Sequence, residues 1–165
     1  MTETRHRLGI VAGGGIMPRR LAEAARAQNY DVLILAISGQ ADPHIVDGFD
    51  HSWIDIRAVN NALKILREKG VKDLLLAGKV RRPSFTVLLS DPWAAKFLTK
   101  VGLRALGGDD GFLKAFIKEL ESSEGLRVLG PDQILKDLAS PLGCLTSVRP
   151  DKEAEEDIQR GITVA

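Results

Sequence analysis

The sequence predicts a single α/β domain, an open parallel sheet with helices on both faces. Short apolar runs alternate along the chain with segments of helical spacing, which is the pattern of a parallel sheet flanked by helices. Residues 31–37 (DVLILAI) are continuously apolar, as strands buried on both faces are. Residues 57–69 place Val59, Leu63 and Leu66 at helical spacing, and Gly70 then ends the helix.

The predicted elements follow in order along the chain. We expect strands at residues 8–12, 31–37, 52–56, 72–77 and 126–129. We expect helices at residues 17–28, 57–69, 85–89, 92–101, 112–122, 133–138 and 151–160. The last of these is charged and has few apolar residues to bury. This alternation is typical of a Rossmann-like fold, in which ligands bind at the carboxyl ends of the strands where the strand order switches.

Composition narrows the class of protein. The chain has 165 residues, 44% of them hydrophobic and 27% charged, which is ordinary for a globular domain. A net charge of +1 gives no general attraction to nucleic acid, so no nucleic-acid partner is expected. Cys144 is the single cysteine, which excludes a disulfide within the chain and fits a reducing, cytoplasmic location. We expect neither a signal peptide nor a membrane span.

The first candidate site is the glycine turn (residues 13–15), which follows the first strand and precedes a helix. Gly13, Gly14 and Gly15 have no Cβ, so the backbone can turn tightly and approach a ligand closely. The free N–H groups of the following helix, together with its dipole, favour an anion such as phosphate. The alternative is a tight connection that binds nothing.

The glycine turn departs from the usual nucleotide-binding motifs. Pro18 stands where a dinucleotide fingerprint has its third glycine, and the acidic residue that would hold a ribose is missing after the second strand. No Gly-Lys-Ser/Thr follows the strand, so a P-loop is excluded. The sequence therefore predicts a phosphate-bearing ligand and disfavours NAD and ATP in their usual binding modes.

A second candidate site is the basic turn (residues 78–83), which follows the fourth strand. Lys79, Arg81 and Arg82 lie here, on the expected ligand edge of the sheet. Arginine offers a planar fork for phosphate oxygens, and lysine offers a point charge. The alternative is a solvated surface patch.

Two carboxylates, Asp109 and Asp110, form a third candidate site. They are flanked by glycines and precede the helix at residues 112–122. They could hold a divalent cation or orient a water, but one of them could equally cap the helix. Outside these three sites, we expect the histidines to lie at the surface in loops or at the N-terminal tail, and the tryptophans to be packing residues. These residues are His6, His44, His51, Trp53 and Trp93.

Four motifs, in this order and spacing, resemble one family across essentially the whole chain. They are AGGGIMP, LAGKVRRPSF, GGDD and GPDQIL. The chain resembles the UDP-2,3-diacylglucosamine pyrophosphatases of the LpxI type, enzymes of lipid A biosynthesis. The resemblance implies hydrolysis of the pyrophosphate bond of UDP-2,3-diacylglucosamine to UMP and 2,3-diacylglucosamine 1-phosphate (lipid X). It also implies Mg²⁺ or another divalent cation, a peripheral contact with the inner membrane through the lipid, and a homodimer.

The resemblance further implies a second, C-terminal domain that carries an essential aspartate and much of the lipid pocket. We therefore interpret residues 1–150 as a UDP-sugar-binding domain and residues 151–165 as a connector toward that domain. The catalytic residue is expected outside this chain. A stand-alone nucleotide-binding or regulatory module without catalysis is the rival hypothesis, since no nucleophile–base pair is visible. An NAD-dependent oxidoreductase is disfavoured by Pro18 and by the missing ribose carboxylate.

Overall fold

The computed structural model describes residues 6–81, 84–101, 109–136, 144 and 146–164. Within these ranges it contains five strands: β1 (Arg7–Ala12), β2 (Asp31–Ile37), β3 (Asp50–Ile54), β4 (Asp73–Ala77) and β5 (Arg127–Leu129). The α-helices are α1 (Met17–Ala27), α2 (Val59–Glu68), α3 (Phe85–Leu88), α4 (Pro92–Val101), α5 (Asp109–Glu124), α6 (Pro131–Ile134) and α7 (Lys152–Val164). A short 3₁₀ helix, Pro43–Val46, precedes β3.

The sheet has the order β3-β2-β1-β4-β5, and every neighbouring pair is parallel. The chain builds outward from β1 to β3 in one direction and then continues from β4 to β5 in the other. The order therefore switches between β1 and β4, which places a ligand crevice beyond their carboxyl ends. The predicted Rossmann-like fold class is confirmed.

Each face of the sheet has its own apolar core. Leu8, Ile10 and Ala12 of β1 point to one face, where they pack with residues of α1 and α6. Leu33 and Leu35 of β2 point to the other face, where they pack with residues of α2, α4 and α5. Side chains alternate between faces along a strand, so the continuously apolar β2 contributes to both cores. Helices cover both faces, as the sequence predicted.

A buried carboxylate joins the two helices α2 and α4 on the second face. Asp91 is the residue before α4, and its Oδ1 accepts the N–H of Ala94 at 2.9 Å. Its Oδ2 accepts the N–H of Asn60, in the first turn of α2, also at 2.9 Å. One side chain therefore caps two helices and fixes where they lie relative to each other.

Several predicted boundaries were wrong by a few residues. β3 begins at Asp50 and ends at Ile54, two residues earlier than expected, because it is an edge strand in which polar residues are tolerated. α5 begins at Asp109, so Asp109 and Asp110 lie inside the helix and not before it. The helix expected at residues 133–138 is α6, which ends at Ile134; the end of the expected span, from residue 137, lies outside the described residues.

Surface assignments were mostly confirmed. His6, His44 and His51 are exposed, although His51 lies in β3 and not in a loop. Trp93 is half-buried and stacks on Phe97, as a packing residue should. Trp53 is 42% exposed on the edge strand, so its prediction as a packing residue was wrong.

Helix α7 has no buried residue. None of the helices in the described ranges combines the length and apolar content needed to cross a membrane.

Candidate functional site

The glycine turn and the basic turn meet at the carboxyl edge of the sheet. Ala12 of β1 pairs with Ala77 of β4, so the two strands end side by side. Beyond them, the N–H of Gly14 donates to the carbonyl of Lys79 at 2.8 Å, and the N–H of Lys79 donates to the carbonyl of Gly14 at 2.9 Å. Gly13 also donates to Ala77 at 2.8 Å. The backbone therefore joins the two candidate sites into one.

This union requires glycine on both sides. A Cβ on Gly13 would lie 2.4 Å from the carbonyl oxygen of Lys79, and a Cβ on Gly78 would lie 2.8 Å from the carbonyl oxygen of Gly14. Gly78 also has a φ of +89°, which residues with a Cβ rarely adopt. Two of the glycines thus serve the close approach of two backbones.

The hydrogen bonds divide the glycine turn into an inner and an outer part. Gly13 is buried, and its N–H and that of Gly14 are already used by carbonyls of the β4 side. Gly15 is exposed with a φ of +91°, and helix α1 begins two residues later with no side-chain cap. Within the described part of the chain, no carbonyl accepts the N–H of Gly15, Ile16 or Met17. These N–H groups, at the positive end of the α1 dipole, are the donors available to an anion.

A third turn, which follows β2, supports the site through Gln40. Its Oε1 accepts the N–H of Arg81 at 2.5 Å, and its Nε2 donates to the carbonyl of Arg81 at 3.2 Å. The carbonyl of Gln40 lies 3.0 Å from where a Cβ of Gly14 would stand. Gln40 therefore holds the basic turn in place while touching the glycine turn. Sequence reasoning missed it; its position three residues after β2, at the ligand edge, was the available signal.

The two described cations of the basic turn are free to meet a ligand. Lys79 and Arg81 are exposed, and neither side chain forms an ion pair with a carboxylate in the described ranges. Arg82 lies outside the described residues. The backbone of Lys79 is anchored by Gly14 and that of Arg81 by Gln40, so both positions are fixed beside the open end of α1.

Asp109 and Asp110 are the first two residues of α5, and their side chains lie outside the description. Phe112, two residues further on, lines the same cavity as Gly78 of the basic turn. The first turn of α5 therefore borders the same cavity as the basic turn. In the residues that the structure describes, no three His, Cys, Asp or Glu side chains group closely enough to hold a metal ion.

The cavity lies under the second face of the sheet and has a volume of about 580 Å³. Its floor is formed by the carboxyl ends of β1, β2 and β4, and its walls by α2, α4 and α5. At its rim, Asp55 follows β3 and pairs with Arg57. The hydrogen bonds from the Arg57 side chain lower the pKa of Asp55 to about 2, so this carboxylate stays charged at neutral pH.

Comparison with known proteins shows the family to which this chain belongs. Residues 7–138 match the LpxI N-terminal domain. The chain is 31% identical over 159 residues to the UDP-2,3-diacylglucosamine pyrophosphatase LpxI of Caulobacter vibrioides, covering 96% of this chain and 56% of that protein. The chain thus spans about half the length of the curated relative it matches.

Solved structures show weaker likeness. A UDP-glucose-4-epimerase of Stenotrophomonas maltophila, with bound NAD and formylated UDP-arabinopyranose, is 11% identical with a TM-score of 0.49, over 96% of this chain and 48% of that one. The Bordetella bronchiseptica enzyme WbmG in complex with NAD is 14% identical with a TM-score of 0.45, over 77% and 37% of the two chains. The match over residues 7–138 and the identity to the Caulobacter protein show that this chain belongs to the LpxI N-terminal domain family.

Proposed function

We propose that this chain supplies the nucleotide-sugar-binding half of a UDP-2,3-diacylglucosamine hydrolase. The reaction would release UMP and 2,3-diacylglucosamine 1-phosphate (lipid X), a step of lipid A biosynthesis. The observation that carries the proposal is the backbone pairing of Gly14 with Lys79 at the switch point, in a chain of this family. That pairing sets two exposed cations beside the unsatisfied N–H groups of α1.

The diphosphate of the substrate would bind at this joined site. Lys79 would attract it as a point charge, and the guanidinium of Arg81 would hold two oxygens at once. The N–H groups at the start of α1 would donate to the remaining oxygens. Gly15 leaves this approach open, because nothing lies within 4 Å of where its Cβ would stand. Arg82 is proposed as a further contact on the same turn.

A divalent cation, Mg²⁺ in the first instance, is proposed from the resemblance alone. When bound, it would neutralise phosphoryl oxygens and orient a water. Asp109 and Asp110 are the proposed ligands in this chain, and the described side chains offer no other grouping that fits. The cleavage step itself is proposed to need residues of a second domain, since the chain spans about half of its relative. A cytoplasmic location, peripheral contact with the inner membrane and a homodimer remain proposals of the same kind.

A nucleotide-binding or regulatory module without catalysis is the second candidate. It is favoured by the side chains that the structure places at the joined turns. Lys79, Arg81 and Gln40 are residue types that bind and position phosphate, and none of them is a carboxylate or imidazole that would accept a proton from water. UMP release from the substrate by this chain, alone or mixed with the other half of the protein, would decide between the two candidates.

The experiment that tests the site is calorimetric titration of UDP into the wild type, Lys79→Ala and Lys72→Ala. Lys72 is the matched control, because it is exposed and directly precedes β4, at the end of the strand opposite to Lys79. Loss of a charge-assisted hydrogen bond costs about 1.5–3 kcal/mol, so Lys79→Ala should weaken binding by roughly tenfold or more. Lys72→Ala should bind as the wild type does. Equal affinities for all three proteins would overturn the proposed site.

A further inference from the structure

The two faces of the sheet differ at the carboxyl end of β1 and β4. On the first face, Ala12 and Ala77 are buried. On the second face, their neighbours Val11 and Leu76 pair in register but are only partly buried. These are central strands of a parallel sheet, which are normally covered on both faces. The second face is therefore open at the same edge that carries the joined turns.

The opening is the 580 Å³ cavity, and it is almost entirely apolar. Val11, Ile37 and Leu76 form its floor, and its walls include Phe97 of α4 and Phe116 of α5. Among the described residues that line it, Asp55 alone carries a charge, and that charge is neutralised by Arg57 at the rim. An apolar cavity offers water no hydrogen-bond partners and instead takes apolar ligands. Its size is in the ordinary range for small-molecule sites.

The mouth of the cavity adjoins the candidate phosphate site. Gly78 and Val80 both line it, and Lys79 stands between them. The exposed Lys79 side chain thus extends from a residue whose two neighbours in the chain both line the apolar cavity. A ligand that fits both features is amphiphilic, with a phosphate at the mouth and a hydrocarbon chain inside.

We infer that this cavity binds a fatty acyl chain of the same phosphate-bearing lipid whose diphosphate meets Lys79. The inference rests on the proposed function, which supplies a substrate carrying both a diphosphate and acyl chains. It places an acyl site in this domain, whereas the resemblance led us to expect much of the lipid pocket in a second one.

The probes for the test are linear alkyl phosphates of six, eight and ten carbons, used below their micelle-forming concentrations, with inorganic phosphate and octanol as references. Each methylene that enters the cavity contributes about 0.8 kcal/mol, so affinity should rise by up to about fourfold for each added carbon. Lys79→Ala should weaken the alkyl phosphates but not octanol. The phosphate and alkyl contributions are thereby separated on the full chain.

Matched variants locate the alkyl site. Ala62 on α2 lines the cavity, while Ala24 on α1 packs against the opposite face; both are partly buried. Ala62→Leu fills the cavity and should abolish the dependence on chain length, whereas Ala24→Leu should preserve it. A second pair needs no change in the core: exposed Leu113 lines the cavity and exposed Leu89 does not. Leu113→Gln should reduce the length dependence, and Leu89→Gln should not.

An affinity that does not change with chain length, or equal effects of both members of each pair, would overturn the inference. The cavity would then be a packing surface for protein. UDP titration keeps the two proposals apart. If UDP binds but the affinity for alkyl phosphates does not depend on chain length, the acyl site is contradicted and the proposed nucleotide function is not. A chain-length effect without UDP binding supports the acyl site and contradicts the proposed nucleotide function.

Discussion

Gly14 and Lys79 exchange two backbone hydrogen bonds, of 2.8 and 2.9 Å, across the ends of β1 and β4. The two residues are 65 positions apart, yet their pairing extends the contact of the strands past the edge of the sheet. It fixes the basic turn beside the start of α1 without using any side chain. The side chains of the basic turn and the free N–H groups at the start of α1 therefore remain available for a ligand.

The first prediction concerns Gly13. Gly13→Ala should destabilise the fold by about 1–3 kcal/mol, because its Cβ would strike the backbone of Lys79, which cannot move without breaking the turn pairing. It should also speed amide hydrogen exchange at Lys79. Gly39→Ala is the control, because it strains the backbone through a positive φ of +74° but meets no atom within 4 Å. Gly39→Ala should leave the exchange rate at Lys79 unchanged. Equal exchange in the two variants would contradict the steric argument.

The second prediction concerns Gln40. Gln40→Ala removes both hydrogen bonds to Arg81 and should cost about 0.5–1.5 kcal/mol for each. Amide exchange at Arg81 should accelerate, and UDP should bind more weakly. Gln28→Ala is the matched control, since Gln28 donates from its amide to a distant carbonyl, that of Ile134, at 2.7 Å. It should lower stability without affecting UDP. A Gln40→Ala variant that binds UDP as the wild type does would remove Gln40 from the site.

The third prediction concerns the pH dependence of stability. The hydrogen bond from Lys100, followed by that from Ser123, lowers the pKa of buried Glu119. The unfolded state, with the ordinary carboxyl pKa of 4.5, then binds protons first as pH falls. This contribution to stability is therefore complete above about pH 4.5 and is lost as pH falls through the folded-state value.

Urea denaturation across that range provides the measurement. Glu119→Gln should be less stable than the wild type at neutral pH, and the difference should shrink below about pH 4.5. Lys100→Met, which removes the first cause of the shift, should reproduce the trend. A difference that stays constant with pH would show that the ion pair does not lower this pKa.

The fourth prediction separates the two roles open to Asp110. As the second residue of α5 it can interact with the helix dipole, an effect of about 0.3–1 kcal/mol. If it also binds a divalent cation, Asp110→Asn should blunt the strengthening of UDP binding by Mg²⁺ while leaving metal-free binding unchanged or slightly tighter. Titrations of UDP with and without Mg²⁺ measure this. Equal Mg²⁺ effects in wild type and variant would leave Asp110 with the helix alone.

The sequence by itself predicted the fold class and the place of the glycine turn and the basic turn at one edge of the sheet. Local patterns record these properties: β2 is apolar throughout because both of its faces are covered, and the glycines mark where the strand β1 must end. The same patterns placed Lys79 just after β4. They predicted the exposure of the histidines, but not that of Trp53, because the position of β3 at the edge of the sheet is not visible in the local sequence.

Only the tertiary structure decided which atoms are left for chemistry. Gly13 and Gly14 were expected to let the backbone approach a phosphate closely, but carbonyls of the β4 side accept their N–H groups. The structure also shows that the side chain of Gln40 binds the backbone of Arg81, and that an apolar cavity lies against Val11. Each of these features depends on pairs of groups far apart in the chain. The periodicity of apolar residues indicates whether a residue is buried, but it does not identify the residues that it contacts. Those contacts depend on the strand order, which is fixed only when helices pack on both faces of the sheet.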